Sequence, residues 1–169
     1  MDEAYAWLQQ ALSDRAAAER LSGDENGVQW CHAIAKYQQT VEKAVKAIVV
    51  ALHISVGYQH GVGHFVDVLI RLPRRPGNRD IANNLSRWLD TNTRTAIRSL
   101  DILAPRRPAP GQPHQRNTEY PFQDPHDRWT YPAARGVFSS AEIKQFRDLA
   151  HRIARVAEQV ISAIRRAPR

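Results

Sequence analysis

Apolar residues recur at three- and four-residue steps along most of the chain, which is the spacing of helices that bury one face. A short apolar stretch between glycines and prolines predicts one additional short helix, and we find no strand-like alternation. The sequence therefore predicts an all-α fold: a four-to-five-helix up-and-down bundle forming a single domain over residues 1–169. The predicted helices cover about Asp2–Leu21, Gly27–Ile54, His64–Leu72 (the short one), Arg79–Leu103 and, from a cap at Ser139, a last helix to about Ile164.

The last helix has the clearest start signal. Ser139 is followed three residues later by Glu142, the pattern of a capping box in which each residue bonds a free backbone amide of the first turn. Before it, seven of the ten prolines lie between Ala104 and Pro132, a density that no regular helix survives. Four aromatic residues in the same stretch predict an ordered loop over 104–137 that packs on the bundle.

Composition narrows the class of protein. The longest apolar run, Ala47–Leu52, is too short to cross a bilayer, and the first residues do not read as a signal peptide. We therefore expect a cytoplasmic protein with no membrane association. The single cysteine, Cys31, lies on an apolar helix face, so it is expected to be a buried, unpaired thiol.

The formal charge is +7, and 20 of the 24 basic residues are arginine. Such an excess suits an anionic partner such as RNA, DNA or a nucleotide, although a GC-rich genome also favours arginine over lysine. The first 26 residues are acidic and the last helix is basic. The two helices either attract each other, within one bundle or between subunits, or carry independent solvated faces.

Several classes of active site are excluded by missing motifs. The sequence has no phosphate-binding Gly-rich loop, no dinucleotide fingerprint, no His-Glu-x-x-His and no serine nucleophile elbow. His60 and His64 are four residues apart, but no third ligand lies nearby in the sequence and glycines weaken the helix there. We predict no metal and no cofactor.

The proline-rich loop carries the residues best suited to nucleic acid. Arginine neutralises phosphate and aromatic faces stack on unpaired bases, so we predict nucleic-acid contacts from Arg107, Tyr120, Arg128 and Trp129. The alternative is that the aromatic residues fasten the loop to the bundle and the arginines only keep it solvated. The loop's full set is Arg106, Arg107, Arg116, Arg128, Arg135, Tyr120, Phe122, Trp129, Tyr131, His114 and His126.

Four short pieces, in order, resemble the HEPN family of helical nucleotide-binding domains. They are Trp7-Leu8 with Ala11, the sequence Glu-Lys-Ala-Val-Lys-Ala at 42–47, Tyr120-Pro121 after the irregular loop, and Phe138-Ser139 at the start of the last helix. The resemblance implies a helical bundle, usually dimeric, that works on RNA or nucleotides. Many members are metal-independent ribonucleases of toxin–antitoxin or antiviral defence systems, whereas others are non-catalytic partners of small nucleotidyltransferases.

The family's catalytic signature is an arginine, often followed by a polar residue, with a histidine after four to six intervening residues. Arg107 and His114 have six residues between them, but three of these are prolines. Arg116 is followed by the polar Asn117, but the next histidine, His126, comes nine residues after Asn117. Arg147 and His151 have only three residues between them, although a helix places them on one face.

Phosphodiester cleavage needs a proton acceptor, a proton donor and a positive charge directed at the phosphate. We predict that Arg116 holds the phosphate, that His114 or His126 moves protons, and that Asn117 orients either group. Three functions therefore stay open: an RNA- or nucleotide-binding protein that acts as a metal-independent ribonuclease, a non-catalytic adaptor for a nucleotidyltransferase or other protein, and a purely structural dimerisation unit. A homodimer is expected from the resemblance and from the opposite charges of the first and last helices.

Overall fold

The computed structural model describes residues 2–24, 26–54, 62–72, 79–104 and 115–166. Within these ranges the regular secondary structure is six helices and one two-stranded hairpin, so the prediction of an all-α fold is confirmed. The helices are α1 (Glu3–Ser22), α2 (Trp30–Ala51), α3 (Gly63–Ile70), α4 (Arg79–Trp88), α5 (Thr91–Ile102) and α6 (Ser140–Arg166), and the strands are β1 (Phe122–Gln123) and β2 (Trp129–Thr130).

The three long helices α1, α2 and α6 build the centre of the bundle. α1 runs antiparallel to α2, because Asp14 meets Lys36 and Lys43 while Ser22 meets Tyr37. α1 also runs antiparallel to α6, because Asp2 before its start meets Arg165 and Glu19 near its end meets His151. Alanine, valine and isoleucine side chains of α2 and α6 are buried between the helices and form the core with apolar residues of α1, α3, α4 and α5.

The predicted third helix, Arg79–Leu103, is broken into α4 and α5. Asp90 caps α5: it is extended (φ −60°, ψ 172°) and its carboxylate accepts a hydrogen bond from the amide of Thr93. An extended residue cannot continue α4, while the bond satisfies one of the free amides of α5. Arg152 of α6 fixes the break by donating to the Thr93 hydroxyl at 2.7 Å.

The acidic first helix and the basic last helix attract each other inside the bundle. Arg165 of α6 lies 3.5 Å from Asp2, and its guanidinium lies over the Tyr5 ring at 4.8 Å. At the other end of α1, Glu19 contacts His151. Among the residues that the structure describes, no helix has the length and apolar character needed to cross a membrane.

The capping box at α6 is confirmed. The amide of Glu142 donates to the Ser139 hydroxyl oxygen at 3.2 Å, and the amide of Ser139 donates to the Glu142 carboxylate at 2.9 Å. Partial burial raises the pKa of Glu142, but the bonds from the Ser139 amide and hydroxyl and from Arg116 outweigh it, so the pKa lies below its usual range.

Candidate functional site

The described part of the predicted loop, 115–137, contains an Asx turn and a two-stranded hairpin. Asn117 is buried: its amide nitrogen donates to the carbonyls of Gln115 and Tyr120, and its side-chain oxygen accepts from the amides of Glu119 and Tyr120. Thr118 is also buried and contacts Gln38 of α2 at 3.5 Å. This part of the loop packs on the bundle, as predicted, through buried polar groups.

The hairpin turn is organised by Asp124. Its Oδ1 accepts from the amides of His126 and Arg128, and its Oδ2 accepts from the Arg128 guanidinium at 2.8 and 3.0 Å. These bonds lower the pKa of Asp124 to about 2, and those from Arg128 contribute most. The signal was present in the sequence, because Asp-Pro-x-Asp favours a turn and the second aspartate, Asp127, tolerates its positive φ of 59°.

Arg116, the predicted phosphate-binding residue, lies at the start of α6. Its guanidinium donates to the Val137 carbonyl at 2.6 Å and to both oxygens of Glu142 at 2.8 and 3.1 Å, and it stacks on the Phe138 ring at 4.5 Å. These contacts join the loop to the capping box, and we call Arg116, Glu142 and Phe138 the α6 clamp. In this arrangement Nη2 of Arg116 binds protein groups, and the catalytic role of this arginine stays a prediction.

The other predicted residues are dispersed. His114 and Arg107 lie outside the described residues, as does His60 of the histidine pair. His126 and Arg128 are exposed in the hairpin turn, Tyr120 and Trp129 are exposed beside it, and Asn117 is buried beneath. Among the described residues there is no group of three or more side chains suited to hold a metal.

A second polar cluster lies between α1, α2 and α6, and we call it the α1–α6 cluster. His151 Nε2 lies 2.8 Å from Glu19 Oε1, and Arg15 Nε lies 3.5 Å from the same oxygen. Arg147 is one turn before His151 on α6, and its Nε lies 3.7 Å from Asp148. About two fifths of the His151, Glu19 and Arg147 side chains is exposed, so a large substrate can reach them.

Tyr37 of α2 contacts α1 at Ser22, three residues after Glu19 of the α1–α6 cluster. It is fully buried and its hydroxyl donates to the Ser22 hydroxyl at 3.2 Å. Burial raises the pKa of Tyr37 above its usual range, and this effect outweighs the bond with Ser22 and the charge of Arg147, which lower it.

The two candidate regions occupy different faces of α6. At roughly 100° per residue, Arg147 and His151 lie about 140° and 180° around the helix from Glu142 of the α6 clamp. They do not form one site within a chain. The sequence showed that Arg147 and His151 share a helix face, but Glu19 could not be paired with them before the packing of α1 on α6 was known.

Comparison with known proteins links the chain to nucleotide- and RNA-related helical domains. The family model for the HEPN domain matches residues 4–94, more than half of the chain. This protein therefore belongs to the HEPN family. Comparisons with curated proteins and with solved structures gave no match.

The extent of the family match bears on the two candidate regions. Two of the four short sequences that resemble the family lie inside the match: Trp7-Leu8 with Ala11, and residues 42–47. The other two, Tyr120-Pro121 and Phe138-Ser139, lie beyond it. Glu19 and Tyr37 are within the matched residues, and Arg147, His151 and the whole hairpin are outside.

Proposed function

We propose that this HEPN domain binds RNA and cleaves it without a metal, with the α1–α6 cluster as the acid–base centre. The observation that carries this proposal is the 2.8 Å pair between His151 and Glu19, one helical turn from the exposed Arg147. Arg147 and His151 share one helix face and a polar residue, Asp148, follows the arginine, but their three intervening residues are one short of the family's four to six.

The contact with Glu19 prepares His151 for proton transfer. With Nε2–H donating to the carboxylate, Nδ1 of the neutral imidazole is left as an acceptor. It takes the proton of a ribose 2′-hydroxyl, the 2′-oxygen bonds to phosphorus, and the bond from phosphorus to the 5′-oxygen breaks. Arg147 stabilises the charge on the phosphate oxygens.

The leaving 5′-oxygen needs a proton. We propose that it comes from the equivalent histidine of a second copy, in its imidazolium form, because family members commonly act as dimers. The Tyr37 hydroxyl is a poor donor for this step, since it is buried and donates to Ser22. The products are a 2′,3′-cyclic phosphate and a 5′-hydroxyl. Light scattering at roughly micromolar concentration tests the dimer, and a lone 19.2 kDa species would contradict it.

The test is cleavage of labelled RNA in EDTA by purified wild-type and variant proteins. His151→Ala is expected to reduce the rate about 10²- to 10⁴-fold, and Arg147→Ala about 10²- to 10³-fold. The matched controls are His32→Ala on α2 and Arg87→Ala on α4. They change exposed residues of the same types on other helices and should cleave at the wild-type rate.

The same assay decides between the two candidate centres. If Arg116→Ala or His126→Ala abolishes cleavage in a folded protein while His151→Ala does not, the centre lies in the loop, as predicted from the sequence. If wild-type protein leaves RNA intact at high concentration, the nuclease proposal is wrong.

One observation favours the alternative of a non-catalytic adaptor. In residues 115–137 three carboxylates balance three arginines, and the Arg116 and Arg128 guanidiniums are paired with Glu142 and Asp124. A locally neutral surface with exposed aromatic side chains suits a protein partner, such as a nucleotidyltransferase. A stoichiometric complex on co-purification from the native host, together with absence of RNA cleavage, would support this function in place of the first.

A further inference from the structure

The hairpin presents one aromatic side chain outward because of its register. β1 and β2 pair Phe122 with Thr130 and Gln123 with Trp129. Side chains alternate between the two faces of a strand, so Trp129 is on the face opposite to that of Phe122 and Thr130. Phe122 is buried, whereas Trp129 is 66% exposed.

A second exposed aromatic side chain, Tyr131, follows directly after the end of β2. Tyr131 lies two residues beyond Trp129 and is 60% exposed. Pro132 follows it, and a residue before proline is restricted to extended backbone, which maintains the alternation. Two residues along a strand are about 6.6–6.8 Å apart. That Cα spacing is about twice the 3.4 Å rise of a stacked base, so rings that stand parallel above these two positions would leave room for one base.

The support beneath these rings is rigid. Asp124 closes the turn with four bonds to the backbone. Its carboxylate accepts from the amides of His126 and Arg128, its carbonyl accepts from the Asp127 amide, and its own amide donates to the Arg128 carbonyl. Asp124 also accepts from Nε and Nη2 of Arg128, so the Nη1 side of this guanidinium points away from the carboxylate. A preorganised surface loses less entropy when a ligand binds.

We propose that Trp129 and Tyr131 form a sandwich for one unpaired nucleobase, which makes single-stranded RNA the class of nucleic acid that this protein selects. The inference rests on the proposed RNA-binding function and adds the strand type to it. A duplex hides the faces of its bases within the stack, whereas an unpaired base offers both faces. The net charge of +7 attracts the phosphate chain, and the neutral hairpin adds recognition of the base.

The experiment measures affinity by fluorescence anisotropy for a labelled oligouridylate, alone and annealed to oligoadenylate. All proteins carry the His151→Ala change, which prevents cleavage during the measurement. Trp129→Ala and Tyr131→Ala should each weaken single-strand binding about 5- to 150-fold, the cost of one lost stacking contact. Trp129→Phe should restore most of the affinity, and duplex binding should change little.

Ile102→Ala is the matched control, because Ile102 is an equally exposed apolar residue (61%) on α5 with no aromatic face. It should leave the affinity unchanged. Stacking does not release counterions, so the ratio between wild-type and Trp129→Ala affinities should persist as salt is raised, while both affinities fall.

The outcomes separate this inference from the proposed cleavage. If wild-type protein cleaves RNA but Trp129→Ala binds the single strand as well as its parent does, the sandwich is wrong and cleavage stands. If cleavage is absent but the two aromatic variants lose single-strand affinity, the sandwich stands without the nuclease. If Trp129→Ala instead dissociates a dimer or a protein complex and leaves RNA affinity unchanged, the hairpin is a protein interface and the inference is overturned.

Discussion

Replacing Arg116 by alanine tests whether this arginine supports the fold or the chemistry. The change removes two bonds to Glu142, one bond to the Val137 carbonyl and the stacking on Phe138. Because 38% of the Arg116 side chain and 28% of the Glu142 side chain are exposed, we take the ion pair as about 1 kcal/mol. The carbonyl bond adds about 1 kcal/mol, and the cation–π contact about 0.5–1 kcal/mol.

The total, about 2–3 kcal/mol, is large for one partly exposed residue. In a domain of this size it corresponds to a decrease in melting temperature of about 5–10 °C, measurable by circular dichroism. Arg155→Ala should change the melting temperature by less than about 2 °C, because this exposed residue is outside the clamp.

A double-mutant cycle isolates the ion pair of the α6 clamp. Glu142→Gln removes the charge but keeps a side chain that can complete the capping box with Ser139. Combined with Arg116→Ala, it should reveal a coupling free energy of about 1 kcal/mol in urea unfolding. Unchanged stability of Arg116→Ala together with lost cleavage would refute a structural role and support the catalytic one.

Three further predictions concern other contacts. Ser139→Ala should lower the free energy of unfolding by about 1 kcal/mol through loss of the α6 cap, and Ser139→Asp should restore most of it. Asp14→Ala should lower the free energy of unfolding by about 2 kcal/mol, because Asp14 is 4% exposed and its removal leaves Lys36 and Lys43 without their shared carboxylate. Asp14→Asn should show whether the charge or the hydrogen bonding of this side chain is responsible. The pKa of Asp124 falls from 3.8 to about 2 on folding, so the hairpin gains stability that is complete well above pH 4 and is lost as the pH decreases towards 2. Amide resonances of His126 and Arg128 should report that loss, and Asp124→Asn should remove the dependence on pH.

The helices were determined largely by the sequence. The three- and four-residue apolar spacing located α1, α2 and α6 to within three residues at each observed end, because burial of one helix face is a local property of the pattern. The glycines and prolines on either side of a short apolar stretch located α3 equally well. The Ser139 cap was equally readable. The break at Asp90 was missed, although Asp90 followed by Thr93 contains the capping signal, since the apolar spacing continues through it.

The sites depended on tertiary packing. The sequence grouped Arg116 and Asn117 with loop histidines because they are neighbours along the chain, but packing placed Arg116 against Glu142 and buried Asn117 in a turn. It brought Glu19 to His151 across 132 positions, a contact that no local pattern encodes. Helix formation follows from local periodicity, whereas the pairing of charged side chains depends on which faces meet. Only the folded chain decides that.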